Sequence, residues 1–452
     1  MTDGLMPDSE LLGRLRDALG QVPHVAYAGA HVYPAAAPTF APARRTQRPR
    51  PDHSHLRLYV HVPFCSSKCS FCFYAVKVTE DRGQMERYVD ALERELAWVE
   101  PGTPLSQLFV GGGTPTVLPA DLLARLLGTV FDRMPLYGNH VHVVEASPET
   151  VTAKHAQVLC EHGVERVSMG IQSLETPVLD SVRRGHDEGA ALDAVRLLLD
   201  HGLILNVDLM YGLPGQTEAS FRRDVERLKA EGVHSLTLYE LRLLKMSPVA
   251  RHLCEDEWLS FDRLVRWRAV VKSTAEELGF TQTRWHTFKR PDGPAAKHER
   301  LPEHTTVGSG YQLGIGLSAR SHIGPTIFRN HRSFDTYLAR IEADESPVED
   351  VFELGDDDRR ILYIARSLGD GHPLDAATYE AAFGTTLEGD HGAVLLRLTG
   401  AGALARSDSN YLLTEAGKLV YDLVTLAFYP ARMQEWLRAR QPSEFAGDAV
   451  AR

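Results

Sequence analysis

The hydrophobic positions between Leu56 and about residue 280 follow two alternating periods. Short apolar runs of strand length, such as LRLYVHV (56–62), are each followed by a longer stretch with helical spacing, such as GQMERYVDALERELAWV (83–99). Six such units predict parallel strands joined by right-handed crossovers, in a barrel or an open sheet, with functional residues just past the carboxyl ends of the strands. The later strands are LSQLFVGG, HVHVVEAS, ERVSMGIQS, LILNVDLMYG and SLTLYEL, and the later helices include PADLLARLLGTVFDRM, TAKHAQVLCEHG and EASFRRDVERLKAEG.

The pattern changes on both sides of this region. Residues 8–20 predict one short helix, and PAAAPTFAPARRTQRPRPD (34–52) predicts an extended connector. Beyond about residue 355, three helical stretches and a polar hairpin signal predict a winged-helix-like module. We therefore expect an arm and connector over 1–54, an α/β domain over 55–280, a Gly-rich extension over 281–350 and a helical domain over 351–452.

Composition narrows the class of protein. The 452 residues carry a formal charge of −11, which disfavours nucleic acid as a partner and weakens a DNA-binding interpretation of the winged-helix-like module. The sequence contains no run of about 18 apolar residues and therefore predicts no membrane span, and the acidic N-terminus does not resemble a signal peptide. We expect a cytoplasmic protein without membrane association, whose five cysteines are reduced. Cys160 and Cys254 lie in helical patterns and are expected to be buried as small apolar residues.

Three cysteines lie together in HVPFCSSKCSFCFYAV (61–76). Cys65, Cys69 and Cys72 follow the spacing C-x3-C-x2-C, which lets one loop place three thiolates on three corners of an iron–sulfur cube. Full protein ligation of such a cluster takes four thiolates, so three leave one iron open to a small molecule. The alternatives are zinc with a remote histidine, such as His61, or three unconnected cysteines.

The segment YVHVPFCSSKCSFC resembles the signature of the radical S-adenosylmethionine (SAM) superfamily, and more narrowly that of oxygen-independent coproporphyrinogen III dehydrogenase and its relatives. The resemblance extends from about residue 56 to about 430. It implies a partial (βα)6 barrel, a 4Fe-4S cluster whose open iron is chelated by SAM, and an electron donor such as flavodoxin or ferredoxin. Reductive cleavage of SAM in this family gives a 5′-deoxyadenosyl radical that abstracts hydrogen from a substrate.

The resemblance also implies the residues of a first SAM site. GGGTPT (111–116) resembles the segment that binds the SAM amino group, and Glu145 at the end of the third strand would pair with its ammonium. The alternatives are an ordinary turn for the glycines and a solvated strand end for the glutamate. The matching positions are Gly111, Gly112, Gly113, Thr114, Glu145, Gln172, Arg184 (with Arg183 as an adjacent alternative), Asp208, and Tyr59 beside the cluster or in the core.

Departures from the heme-synthesis enzyme shape the expected activity. Tyr74 stands where that enzyme has a fourth cysteine, the third strand reads EASPE rather than EVDP, and the HNxxYW motif of the heme chaperone relative is missing. YELRLLKMSP (239–248) resembles the class C radical SAM methyltransferases and cyclopropanases. The expectation is therefore transfer of a SAM-derived carbon to an sp2 carbon of an aromatic or unsaturated substrate, with or without a partner methyltransferase. The alternatives are coproporphyrinogen dehydrogenation, heme trafficking and a DNA-binding regulator.

Carbon transfer implies a second SAM molecule near the sixth strand and the Gly-rich segment YQLGIGLSARS (311–321). The expected contacts are Tyr239, Gln312, Gly314, Gly316 and Ser318, and the alternative is a tight strand crossing. In TRWHTF (283–288), Trp285 or Phe288 is expected to stack on an aromatic substrate or to lie in the core. His286 is an acid–base candidate, because imidazole titrates near neutral pH.

Overall fold

A computed structural model describes residues 9–19, 41–42, 55–72, 74–138, 141–241, 248–249, 261–294 and 310–439. Cys254, residues 242–247 of YELRLLKMSP and most of the expected arm and connector lie outside these ranges. Within them, no helix is long and apolar enough to cross a membrane.

Six parallel strands form the centre of a 13-stranded sheet, as the alternating pattern predicts. The order along the sheet is β1-β15-β14-β13-β12-β2-β5-β6-β7-β8-β9-β11-β10, and its two ends do not meet, so the barrel is partial. The six are β2 (Leu56–Val62), β5 (Leu105–Gly112), β6 (Val143–Ala146), β7 (Arg166–Gln172), β8 (Ile204–Tyr211) and β9 (Ser235–Glu240). Two short strands, β3 (Phe64–Cys65) and β4 (Lys77–Val78), pair separately in the cysteine loop.

Helices cover the outer face of these strands, and the first crossover helix shows why they form. Asp81 caps α2 by accepting hydrogen bonds from Gly83 N and Gln84 N, and the apolar positions of the helix recur at helical spacing and are buried. The crossover helices are α2 (Arg82–Leu96), α3 (Ala120–Arg133), α4 (Ala153–Glu161), α5 (Thr176–Ser181), α6 (Glu188–Asp200) and α7 (Glu218–Ala230), followed by α8 (Phe261–Glu277).

The extension after α8 continues the sheet on both sides. Strand β12 (Gly310–Ile315) lies parallel to β2, so its carboxyl end reaches the same edge as the cysteine loop. The connector contains a two-residue strand, β1 (Ala41–Pro42), that pairs with β15. The remaining elements are β10 (Thr281–Gln282), β11 (Thr287–Lys289), β13 (Arg320–Gly324), β14 (Thr326–Asn330), α9 (Phe334–Glu342) and β15 (Val348–Glu353).

The C-terminal region is helical with one hairpin, in the expected order. Its core is continuous with the side of the α/β domain, because Val265 and Ala269 of α8 and Ile327 of β14 belong to the same apolar cluster. Leu15 and Leu19 of α1 (Ser9–Leu19) join it. The elements are α10 (Asp356–Gly369), α11 (Ala376–Phe383), α12 (Leu387–Gly400), β16 (Leu404–Ser407), β17 (Asn410–Leu413), α13 (Glu415–Lys418), α14 (Tyr421–Ala427) and α15 (Ala431–Ala439).

A buried polar network fastens β12 to the barrel. The Glu95 carboxylate is fully buried and accepts hydrogen bonds from Gly316 N (2.7 Å), Asn330 Nδ2 (2.7 Å) and the Tyr337 hydroxyl (2.6 Å). The hydroxyl of Tyr88 donates to His61 O and accepts from Leu317 N, each at 2.8 Å. Because a buried carboxylate is tolerated only when it is well satisfied, these bonds fix the end of β12 against β2.

Candidate radical SAM site

The inner face of the barrel is polar and partly open. Along β7, Val167, Met169 and Ile171 are buried against the helices, whereas the alternate positions are half-buried. Cross-strand pairing places Glu145 beside Ser168, and Asp208 beside Gly170 and Thr237, all on this inner face. Tyr59 and Tyr239 lie on the same face, so side chains from five strands converge at the carboxyl edge.

The three cysteines follow β2 and are held against the glycine triplet. Gly113 N donates to Val62 O, and Thr114 N donates to Phe64 O, each at 2.7 Å. Burial and the neighbouring Cys72 thiol raise the pKa of Cys65 to about 12, so this thiol requires a positive partner to ionise. The charges of Cys72 and Cys69 both act on Cys65, so the three thiols lie close together. Three neighbouring thiols are the donor set that a 4Fe-4S cluster with one open iron would take.

The histidine beside this loop does not fit as a zinc ligand. His61 is buried, its Nδ1 is 2.9 Å from the Tyr59 hydroxyl, and its Nε2 is 3.3 Å from Ala75 O. Burial lowers the pKa of His61 to about 4, so the ring is neutral. Cys160 also differs from expectation, because it is exposed at the end of α4. On a short amphipathic helix, the sequence pattern does not determine whether a residue at the border of the apolar face, such as Cys160, is buried or exposed.

Arg184 rather than Arg183 points into the site. Its Nη1 lies 3.4 Å from Cys69 Sγ, and its Nη2 donates to Gly170 O, while Arg183 is exposed with a positive φ of 58°. The arginine is oriented by Glu149, which also accepts from His186 Nδ1 at 3.0 Å. Burial opposes ionisation of Glu149, but the His186 hydrogen bond and the Arg184 charge outweigh it and lower its pKa to about 2.

The glycine triplet forms a cradle for the Glu145 carboxylate. Gly112 N donates to Glu145 Oε2 at 3.0 Å, and a Cβ added at Gly111 would lie 2.5 Å from the same oxygen. Burial, and secondly the charge on Asp208, raise the pKa of Glu145 to about 7. Within the described part of the chain, the hydrogen bond to this carboxylate comes from Gly112.

Asp208 is held by polar neighbours that the sequence pattern does not indicate. It accepts from Asn206 Nδ2 at 2.7 Å and from Ser168 Oγ at 3.2 Å, and Asn206 also contacts Ser235 and Thr237. Burial raises the pKa of Asp208 to about 6, although these hydrogen bonds oppose the change. Arg166 already offsets part of the negative charge at Asp208, and the positive charge of SAM would stabilise the ionised forms of these two half-buried acids further. Gln172, with a strained φ of 74° at a register shift, lies at the end of the neighbouring strand.

This electrostatic arrangement predicts a pH dependence. Because the pKa of Glu145 is raised above its ordinary value, the folded protein retains a proton that the unfolded chain loses, so ligand-free stability falls as pH rises from about 4.5 through 7. The positive charge of SAM favours ionised Glu145, so SAM affinity should instead rise by up to about tenfold between about pH 6, where Asp208 also titrates, and pH 7, and level off above it. Equilibrium dialysis across this range measures it, and Glu145→Gln should show weak binding without that slope. An equally steep slope in Glu145→Gln would contradict the assignment.

The expected second-SAM residues lie beside the first site. Gln312 and Gly314 pair with Arg57 and Tyr59, and Gly316 and Ser318 follow at the carboxyl edge. Packing of the chain itself explains both glycines, because a Cβ at Gly314 would meet Arg320 O at 2.6 Å and one at Gly316 would meet His61 O at 2.6 Å. The glycines therefore do not by themselves indicate a ligand.

Tyr239, which is expected at the second SAM molecule, is 40% exposed. The substrate-side candidates divide between site and core, and of these Trp285 and His286 are half-buried beside the end of β9. Phe288 is 1% exposed and packs in the main core, so stacking on a substrate is excluded for it. In the antiparallel pairing with β9, Phe288 lies opposite Leu236 and shares its core-facing side.

The comparisons with known proteins agree with this geometry. The radical SAM superfamily model matches residues 59–228. The chain is 30% identical over 363 residues to heme chaperone HemW of Mycobacterium tuberculosis (strain H37Rv), covering 77% of this chain and 92% of that protein. It is 29% identical to oxygen-independent coproporphyrinogen III oxidase of Escherichia coli K12, covering 75% and 76%. The E. coli HemN structure superimposes with a TM-score of 0.73 at 24% identity, over 83% of this chain and 90% of that one.

The chain therefore belongs to the radical SAM superfamily, in the branch of oxygen-independent coproporphyrinogen III oxidases and their HemW relatives. Membership implies a 4Fe-4S cluster and SAM as cofactors.

The expectation of methyl or methylene transfer is wrong. The relatives that match over most of the chain are coproporphyrinogen III oxidases and heme chaperones. That expectation depended on a few local differences, chiefly Tyr74 and YELRLLKMSP. Tyr74 is 50% exposed beside the site, and residues 242–247 lie outside the described ranges. Neither difference fixes the chemistry.

Proposed function

We propose that this protein is a radical SAM enzyme that oxidatively decarboxylates propionate side chains of a coproporphyrinogen-type tetrapyrrole. The observation that carries the proposal is the convergence of three cysteines, Arg184 and the half-buried acids Glu145 and Asp208 at one edge of the barrel. The similarity to coproporphyrinogen III oxidases over about three quarters of the chain supports the choice of substrate.

When bound, the cluster and SAM supply the 5′-deoxyadenosyl radical that abstracts hydrogen. The chain's own residues bind and orient: Cys65, Cys69 and Cys72 would hold three irons, and the Gly112 amide fixes Glu145 to receive an ammonium. Arg184 would stabilise negative charge beside Cys69. The propionate gives a hydrogen atom to the 5′-deoxyadenosyl radical, passes one electron to an external one-electron acceptor, releases carbon dioxide and becomes a vinyl group. A flavodoxin- or ferredoxin-type donor supplies the separate electron for SAM cleavage.

A second SAM molecule is part of this proposal. Its support is the position of Gln312, which pairs with Arg57 on the same inner face as Tyr59 and across that face from Tyr239. Binding of labelled SAM to the reconstituted protein should reach two molecules per chain, and Gln312→Ala should lower that stoichiometry or the second affinity. A single site with unchanged affinity in this variant would contradict it.

The decisive experiment is an anaerobic assay with the reconstituted protein, dithionite, SAM and coproporphyrinogen III. We expect 5′-deoxyadenosine together with release of carbon dioxide and a vinyl-bearing product, followed by mass spectrometry. Cleavage of SAM in the presence of the substrate, without carbon dioxide, would refute decarboxylation while leaving the cofactor site in place.

Heme trafficking is the second candidate, because the similarity to HemW covers 92% of that chaperone. It predicts stable stoichiometric heme binding and transfer to an acceptor protein without decarboxylation of coproporphyrinogen. A heme titration run beside the assay separates the two functions.

A further inference from the structure

Four aromatic side chains form a contiguous group at the end of β9, here called the aromatic wall: Tyr239, Trp285, His286 and Tyr421. The ring centroids are 5.4 Å apart for Tyr239 and His286, and 4.2 Å apart for Trp285 and Tyr421. The Tyr421 hydroxyl lies 3.4 Å from His286 Nδ1, and the His286 carbonyl accepts from Leu238 N at 2.8 Å. A backbone hydrogen bond therefore connects the aromatic wall to β9, and Tyr421 contacts the His286 ring from the C-terminal domain.

One end of the wall faces the cofactor residues. Tyr239 lies on the inner face, next to Met210 and two positions beyond Thr237, which pairs with Asp208. The phenol is densely surrounded, and desolvation followed by the charge on Asp208 raises the pKa of Tyr239, with smaller contributions from Tyr74 and Glu145. Even so, 40% of Tyr239 and 50% of Tyr74 remain exposed. Exposed aromatic rings beside a polar inner face form a typical surface for a flat ligand.

The other end of the wall belongs to the C-terminal domain. Tyr421 and Asp422 lie on α14, and Arg268 of α8 holds both. Its guanidinium forms a two-pronged ion pair with Asp422 (2.8 and 2.9 Å), donates to Leu419 O (2.9 Å) and lies 4.9 Å from the centre of the Tyr421 ring. It also reaches Glu240 Oε2 at 3.2 Å, directly after Tyr239 in β9.

Arg268 is 6% exposed, so its charge is retained only because these partners satisfy it. The same residue therefore ties the end of β9 to the start of α14. These polar contacts fix the position of Tyr421 relative to β9 more closely than apolar packing between the two regions would.

We propose that the C-terminal domain completes the substrate side of the site: Tyr421, positioned by Arg268, holds His286 against Tyr239, and the exposed part of the Tyr239 ring receives a flat conjugated ring of the substrate. In this arrangement Tyr239 touches the ligand, and His286, Tyr421 and Arg268 are positioning residues. The identity of the ring as a pyrrole of a tetrapyrrole rests on the proposed function; the surface itself requires only a flat ring.

The test is titration of the cluster-reconstituted full chain with coproporphyrin III, the stable aromatic form of the tetrapyrrole, followed by absorbance. Tyr239→Ala removes a stacking partner and should raise Kd by about tenfold, the upper range for an aromatic pair. Tyr421→Phe keeps the ring but removes the hydroxyl at His286, and should raise Kd by about threefold. The matched control is Tyr411→Phe, which removes a tyrosine hydroxyl bonded to Glu388 in the same domain and should leave Kd unchanged.

A positioning role also predicts how turnover changes. In Tyr421→Phe, KM for coproporphyrinogen III should rise by more than kcat falls, whereas partial misfolding would lower kcat and leave KM unchanged. Equal Kd values for Tyr421→Phe and Tyr411→Phe, or an unchanged Kd in Tyr239→Ala, would overturn the proposal, as would the absence of coproporphyrin binding to the native protein. Coproporphyrin binding that depends on Tyr239 and Tyr421, without decarboxylation, would refute the proposed reaction and support the wall. Decarboxylation with Kd and KM both unchanged in Tyr421→Phe would support the proposed reaction and refute the role of the aromatic wall.

Discussion

Cys69→Ala is expected to abolish reductive SAM cleavage, with a loss greater than the roughly 10–100-fold that follows removal of an outer-shell partner of a metal site. Cys69 is one of three thiols that would ligate the cluster, and it is the one that Arg184 approaches, at 3.4 Å. Removing it leaves two thiolates for a cluster that needs three protein ligands. It also leaves Arg184 with Glu149 as its anionic neighbour but without a thiolate. Iron and sulfide content, cluster absorbance and 5′-deoxyadenosine formation measure the effect.

Cys160→Ala is the matched control for this change. Cys160 is exposed at the end of α4 and lies outside the site, so its removal should leave iron content and SAM cleavage unchanged. Retention of a full cluster and of cleavage activity in Cys69→Ala would show that the three-cysteine assignment is wrong.

Gly112→Ala is expected to weaken SAM binding by at least about a hundredfold and to lower thermal stability. Its φ of 114° is a conformation essentially reserved for glycine, and strain of this kind costs about 1–3 kcal/mol. The new Cβ would lie 2.5 Å from Nδ1 of His61, which is buried and bonded on both ring nitrogens, so overpacking adds about 1–3 kcal/mol. Relief of the clash would move the amide that fixes Glu145.

The control for backbone strain is Gly163→Ala. Gly163 also has a positive φ, 69°, but an added Cβ would meet nothing within 4 Å. It should cost about 1 kcal/mol and leave SAM affinity unchanged. Binding of SAM to Gly112→Ala with native affinity would mean that the glycine triplet serves a turn rather than a ligand cradle.

The fold was predictable because its information is local. Each strand is a short apolar run, each helix has its own periodic face, and parallel strands end at a common edge, so the sequence alone brings the three cysteines, Gly112, Glu145 and Asp208 to one place. The structure confirms six parallel strands in that order.

The supporting residues were not predictable, because their roles depend on contacts distant in sequence. Glu149 orients Arg184 from another strand end, and Asn206 bonds across three strands. The histidine in RRGH, His186, follows two arginines, and this grouping indicates an acidic partner nearby. The sequence around it does not identify that partner as Glu149. The predicted activity failed for a related reason: Tyr74 marks a difference from the heme-synthesis enzyme, yet a single exposed position does not specify a reaction.

The network around Glu95 and Tyr88 has a consequence for biogenesis. The partners of Glu95 follow it by 221 to 242 residues, and β2 gains its second strand neighbour only when β12 is present. Such distant pairings form late and slowly, after the ribosome has released most of the chain. The strand that carries the cysteine loop therefore stays open on one side during synthesis. We expect iron–sulfur insertion to follow translation, with the nearly complete polypeptide rather than the nascent barrel as the recipient of the cluster.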